Sequence, residues 1–408
     1  MVTDTTKDAA IRRRVLLSTL SNYVGQVFTL GIWFFLTPFL LRQLGASAYG
    51  LWILVGSVLA YGSLLDFGIS SAVVKYVAEY HAKGQIEQAR SLVATALWLY
   101  TGLGLIAFAL SAILAPVFPA LFNVPLDQRA TAIRLVLLSG LGVGVALPGA
   151  ASFAVLHGLQ RFDALNLITI IGMSLFTTTT VGALLLGWGV LGMVAMNIST
   201  SLLMQIPTLW FIHRIAPELR FGWRGADPRL ARTVASFSSA LFVINVAAQI
   251  KTKTDEVVIS AFLPIASVTP FSIARRLSEL PRTLTYQFMK VLMPLAAQLH
   301  AENDQVRLRA LYLTSTRLTL AIFVPIACSL IILARPFLTI WVGATYADSA
   351  NLVLILTIAG LLDIILWPAG SILQGMTRHR RLAVIALGSA LANLGLSILL
   401  VRPLGVAG

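Results

Sequence analysis

Between Asn245 and Pro264 the sequence reads NVAAQIKTKTDEVVISAFLP, which sets Lys251, Lys253, Asp255 and Glu256 inside a run otherwise apolar enough to cross a membrane. A charge near the bilayer centre costs roughly 2.5–3.5 kcal/mol even on a lenient insertion scale, so these four side chains need partners or a water-filled cavity. On a helix of about 3.6 residues per turn, Asn245, Gln249, Lys253, Glu256 and Ser260 share one stripe. Lys251 and Asp255 sit one turn apart on another. The following run carries a matching stripe of Arg275, Glu279, Arg282, Tyr286 and Lys290, with Arg276 beside it. The pattern predicts two neighbouring helices with a shared ionisable interior.

Six cations in these two runs (Lys251, Lys253, Arg275, Arg276, Arg282 and Lys290) face three carboxylates (Asp255, Glu256 and Glu279), an excess of three. An anionic substrate fits that surplus, and a pyrophosphate would be gripped by arginine forks and lysine point charges. Structural ion pairing, or snorkelling of Arg282 and Lys290 to the inner face, is the competing account. Facing polar groups come from Asn22, Tyr23 and Gln26 in the first apolar run and from Asp66 in the second. An intramembrane Asp66 either binds a coupling proton or cation or partners a basic side chain, and Asp363 poses the same alternative.

Other chemistry is scarce. Cys328 is the single cysteine, and the five histidines at 81, 157, 213, 300 and 379 have no metal-ligand spacing, so neither a metal site nor a catalytic centre is expected. GLGVG at Gly140–Gly144 lies within an apolar run, where close helix packing explains it better than nucleotide binding. No phosphate-binding G-x-x-x-x-G-K-[ST] sequence occurs and no cofactor is expected. The prolines at 264, 270, 281 and 294 predict breaks or kinks in the second charged run.

The elements that must position these residues are membrane-spanning. Hydrophobic residues make up 58% of the chain and charged residues 11%, against roughly 25% charged in a soluble domain. The net charge of +14 lies in short loops between apolar runs, which marks topology, not nucleic-acid binding. Eleven spans are expected, near 15–41, 48–74, 91–117, 131–156, 164–187, 190–213, 233–263, 265–297, 309–334, 349–375 and 382–401. With the N-terminus cytoplasmic, 18 lysines and arginines fall inside and only Arg42, Arg129, Arg335 and Arg402 outside. That asymmetry predicts an N-inside topology. The first span follows Arg12, Arg13 and Arg14, is too long for a signal-peptide core, and reads as retained.

A repeat organises the spans. Pro148 matches Pro368, Gly158 matches Gly375, and Gly189–Gly192 (GVLG) matches Gly405–Gly408 (GVAG). The copies lie six spans apart and share one orientation, so they predict two parallel six-helix lobes. The expected organisation is a cytoplasmic N-terminus at 1–14, a first lobe at 15–213, a cytoplasmic linker at 214–232 and a second lobe at 233–408. On this count five helices of the second lobe are present, and a twelfth is expected beyond Gly408.

Five stretches then carry a resemblance. They are YGLWILVGSVLAYGSLLDFGISSAVVKYVAEYHAKG from Tyr49, LQRFDALN from Leu159, TDEVVISAFL from Thr254, WVGATY from Trp341 and ILQGMTRHR from Ile372. Together they resemble the polysaccharide-exporting branch of the multidrug/oligosaccharidyl-lipid/polysaccharide exporter superfamily, which includes O-antigen flippases. The resemblance implies an all-α polytopic protein with a V-shaped pair of lobes in the bacterial inner membrane. It implies a transporter, not an enzyme, which flips a polyprenyl-pyrophosphate-linked oligosaccharide by alternating access. Its partners would be that lipid-linked oligosaccharide, the membrane and other polysaccharide-assembly proteins. A small-molecule or drug antiporter of the same fold is the alternative, although a cation-rich cavity is a poor host for cationic drugs. A membrane-embedded glycan polymerase or ligase comes third, since it would need a sizeable extracytoplasmic loop and those here are short.

Overall fold

The computed structural model describes residues 2–219, 222–237, 239–289, 292–376 and 379–407. Among them every regular element is helical. The α-helices are α1 (Val2–Ala60), α2 (Ile69–Ala82), α3 (Ile86–Leu121), α4 (Arg129–Gly158), α5 (Phe162–Leu185), α6 (Gly189–Ile215), α7 (Pro228–Phe237), α8 (Ser239–Phe262), α9 (Val268–Met289), α10 (Leu292–Ala301), α11 (Gln305–Trp341), α12 (Ala350–Gly375) and α13 (His379–Leu404).

Eight helical segments among the described residues are long and apolar enough to cross a membrane, so this is a multi-pass membrane protein. The expected eleven spans exceed that number at two places. The first two spans fall within the range of α1, but it is two helices parted by a kink at Gly45 (φ 72°), as the two expected spans require. In addition, α8 and α9 are long enough, at 24 and 22 residues, but each holds four charges. Of the prolines in the second charged run, Pro281 lies inside α9 and Pro294 in the first turn of α10.

The chain separates into two compact units. The first holds Met1–Gly45, Leu59–Ala120 and Pro125–Ser239, and the second Ala46–Val58, Leu121–Val124 and Ala240–Gly408. In the first, Ile69, Val73 and Val77 of α2, Leu92 and Tyr100 of α3 and Val155 of α4 share one buried core. The GLGVG segment is a packing device. A Cβ on Gly140 would lie 2.3 Å from that of Ser111, and one on Gly104 of α3 would lie 2.4 Å from the Gly144 carbonyl oxygen. Glycine at 104, 140 and 144 is what lets α3 and α4 touch backbone to backbone.

Within the expected 214–232 linker, the described residues 216–219 and 222–227 are strapped along α3. Arg90 donates to the Glu218 carbonyl, Ser91 to the Gly225 carbonyl at 2.6 Å and Trp98 to the Trp223 carbonyl at 3.0 Å. The Asp227 amide donates to the Thr95 hydroxyl at 2.9 Å. Ser91, Thr95 and Trp98 are spaced four and three apart, one face of a helix. The chain then enters α7 through Pro228, a residue suited to a first helical position because the missing N–H would have had no partner there.

The second unit contains α8–α13 and the end of α1. Phe323, Ala327 and Ile364 form a buried cluster between α11 and α12. The Tyr49-Gly50 pair explains itself here. A Cβ on Gly50 would sit 2.6 Å from the Ile265 carbonyl oxygen, and Thr269 donates to the Ala46 carbonyl at 2.6 Å. The repeat-related glycines also do matching work in their own units. Gly158 ends α4 against the Val74 carbonyl and Val77 of α2, and Gly375 ends α12 against the Met293 carbonyl and Ala296 of α10. Gly189 and Gly405 both take left-handed backbones, at φ 59° and 64°.

Candidate functional site

Charge in the second unit gathers around Arg275 of α9. Its Nη1 lies 3.0 Å from each carboxylate oxygen of Glu256 on α8, and its Nε is 3.2 Å from Glu279 one turn along. Nη2 donates to the Thr252 carbonyl, and Asp255 is 3.7 Å from Nη1. The Arg275 side chain is only 14% exposed and that of Glu256 5%. All three guanidinium nitrogens therefore donate to protein acceptors. A buried arginine so committed is a structural clasp between α8 and α9, and removing either partner would strand a charge.

A second cluster has a different character. Asp363 of α12 bridges Lys251 of α8 and Arg282 of α9, giving one oxygen to each: Oδ1 to the lysine and Oδ2 to Arg282 Nη2 at 3.0 Å. Lys251 therefore pairs with Asp363 and not with Asp255, its neighbour one turn along the same helix. Arg282 reaches across to α12 instead of snorkelling along its own helix. The side chains of Lys251 and Arg282 are 42% and 31% exposed. Both sit well inside their helices, where hydrocarbon would be a costly neighbour, so the exposed parts require water. Gly360 makes room, since its missing Cβ would lie 3.3 Å from Cδ of Arg282. One turn beyond, Tyr286 and Trp367 pack their rings 4.7 Å apart.

Asp363 changes the charge count. The six cations face four carboxylates, an excess of two and not three. Lys253 has no carboxylate within ion-pairing distance among the described residues, although Glu256 is near enough to feel its charge. Arg276 is half-buried close to Tyr49. Lys290 lies outside the described residues, and so do the side chains of Asn22, Tyr23 and Gln26.

Asp66, in the first unit, has no basic partner among the described residues. It accepts hydrogen bonds from the Tyr100 hydroxyl, the Ser70 hydroxyl at 3.0 Å and the Ser70 amide at 3.2 Å. The last of these satisfies a free N–H in the first turn of α2, so the carboxylate caps that helix. Two hydroxyls and an amide surround Asp66 where one of its two alternatives had a basic side chain. Tyr100 was missed in the sequence because a lone tyrosine in an apolar span has the pattern of a core residue; its hydroxyl was the available signal. Asn393 and Ser397 of α13 were also missed. Ser397 lies within hydrogen-bonding reach of Asp255, and Asn393 one turn away carries a buried amide oxygen with no hydrogen-bond donor among the described residues.

At the start of α5, Arg161 makes a two-pronged ion pair with Asp163, at 2.9 and 2.8 Å, within the LQRFDALN segment.

Known proteins of similar sequence and fold agree on the class. Over 350 residues the chain is 25% identical to the succinoglycan biosynthesis transport protein ExoT of Rhizobium meliloti, covering 85% of this chain but only 65% of that protein. It is 21% identical to the probable low-salt glycan biosynthesis flippase Agl15 of Haloferax volcanii, over 96% of this chain and 78% of the relative. The fold matches that of a multidrug resistance MATE family transporter of the MOP superfamily in its inward-facing conformation. That match has a TM-score of 0.75 at 16% identity and covers 96% of this chain and 89% of that one. The repeat-related glycines, the charged α8–α9 pair and a MOP-type fold thus occur together in a chain whose residues 39–351 match the family of polysaccharide biosynthesis proteins, and to that family it belongs.

Proposed function

We propose that this chain flips a polyprenyl-pyrophosphate-linked oligosaccharide across the bacterial inner membrane by alternating access, with its N-terminus in the cytoplasm. The observation that carries the reading is the uneven use of charge on α8 and α9. Arg275 is consumed by Glu256, Glu279 and Thr252, while Lys251 and Arg282 keep part of their side chains exposed. The anion-binding face of the proposal is Lys251, Lys253 and Arg282, with Arg276 and Lys290 adding positive charge and Arg275 holding the two helices together. Lysine point charges and an arginine fork suit a diphosphate with several oxygens and more than one negative charge. The glycan-export names of the relatives and the family membership support the same substrate class. A cation-exporting antiporter is disfavoured by the same charges, which repel its substrate.

The chemistry asked of the protein is binding and reorientation, and no bond is made or broken. Asp66 serves by position, capping α2 against α3 through Tyr100. Other polysaccharide-assembly proteins would supply the lipid-linked unit and take it after translocation. The test is complementation: a strain that accumulates lipid-linked repeat units for want of its own flippase should regain surface glycan when this chain is expressed. Unchanged surface glycan, with the chain present in the membrane at normal abundance, would refute the reading.

A further inference from the structure

We infer that Asp363 is a built-in competitor for the substrate's phosphate groups: in the empty protein its carboxylate occupies Lys251 and Arg282, and a diphosphate binds by displacing it. The inference rests on the anion-binding reading above and adds the residue that regulates that site.

Three observations lead to it. First, the carboxylate is divided, with Oδ1 on Lys251 and Oδ2 on Arg282. Two phosphate oxygens would take the same two donors. Second, the bridge is not the buried kind. Asp363 is 23% exposed and its two partners more so, whereas the Arg275–Glu256 clasp is nearly sealed. The Asp363 bridge is open enough for a ligand to approach, as the Arg275 clasp is not. Third, the bridge joins three helices, α8, α9 and α12, each contributing one group, so exchanging a ligand for Asp363 removes the ionic link between α12 and the other two. The Arg282 stem meanwhile stays seated over Gly360.

The physical logic is charge matching. Two cations inside a membrane span are expensive when unpaired, and Asp363 neutralises one of them when no substrate is present. A diphosphate carries more charge and more acceptor oxygens than a carboxylate, so it wins the exchange when it arrives. It also leaves more easily, because Asp363 waits to reclaim its partners. Without that competitor the site should hold anions more tightly and release them more slowly.

The experiment titrates inorganic pyrophosphate into the purified chain in lipid nanodiscs, followed by calorimetry or by phosphorus NMR. Asp363→Asn should bind pyrophosphate about tenfold more tightly than wild type, since a like charge within a few ångströms of the ligand has been removed. Lys251→Gln and Arg282→Gln should each bind about tenfold more weakly, and Glu279→Gln should bind like wild type. Wild-type binding that falls in Lys251→Gln and Arg282→Gln but does not strengthen in Asp363→Asn overturns the competitor role and leaves the anion site standing. Binding absent from every variant, or indifferent to Lys251 and Arg282, overturns both. If Asp363→Asn does not accumulate, the charge-balanced pair Asp363→Asn with Lys251→Gln is compared with Lys251→Gln alone. Tighter binding by the pair supports the inference, and equal binding rejects it.

Discussion

Arg275→Gln is expected to deplete the protein from the membrane, with surface glycan lost only as a consequence. The substitution leaves Glu256, 5% exposed, with neither of its two 3.0 Å hydrogen bonds to the guanidinium, and it frees Asp255 and Glu279 from the same cation. Stranding a buried charge in this way costs about 3–5 kcal/mol, a large share of a typical folding free energy. The measurement is abundance in isolated membranes and melting temperature of whatever can be purified. Replacing Glu256 by glutamine together with Arg275 should restore much of the loss, because an uncharged pair has no stranded partner. A single Arg275→Gln variant that accumulates and melts like wild type would show that the clasp contributes little.

Lys253→Gln should do the reverse. No carboxylate lies within ion-pairing distance of Lys253 among the described residues, so its removal strands nothing and relieves a charge that costs roughly 2.5–3.5 kcal/mol inside a span. Protein abundance should be unchanged or slightly raised, while surface glycan in the complementation assay falls about tenfold or more, because one of the unspent cations has gone. Lys253→Arg should keep most of the activity, since it preserves the charge. Normal export by Lys253→Gln would remove Lys253 from the substrate site, and lost protein would assign it a structural role. The two substitutions lie on facing helices of one unit and separate folding from transport.

The charged stripes of α8 and α9 were legible because helical spacing alone places Glu256 and Arg275 on mutually facing positions of consecutive helices. Asp363 was not. It is 112 residues from Lys251, and an ion pair across that separation leaves no periodic trace, so the sequence-based count put the cation excess one too high. The division of labour between a sealed Arg275 and a wetted Lys251 was equally out of reach, since both are cations in apolar runs and only packing distinguishes them. Glycines were easier. GLGVG could be read as a packing motif because a hydrophobic span is the one setting where small residues serve backbone contact. The strap of the linker along α3 was hidden for the opposite reason: three of its four hydrogen bonds among the described residues end on backbone carbonyls, which every sequence has. Asp66 looked like a group awaiting a cation, and its neighbours proved to be Ser70 and Tyr100, residue types that composition treats as neutral.

The central claim is translocation of a lipid-linked oligosaccharide, and it is tested most directly with the purified chain in proteoliposomes. A polyprenyl-pyrophosphate-linked oligosaccharide bearing a fluorophore is placed in both leaflets, and a membrane-impermeant quencher reports how much becomes accessible from outside. The account predicts quenching well beyond the half expected of a static outer leaflet, dependent on Lys253 and absent for the same oligosaccharide on an uncharged polyprenol. Quenching that stays at the level of protein-free liposomes, with correctly folded protein present, would contradict it.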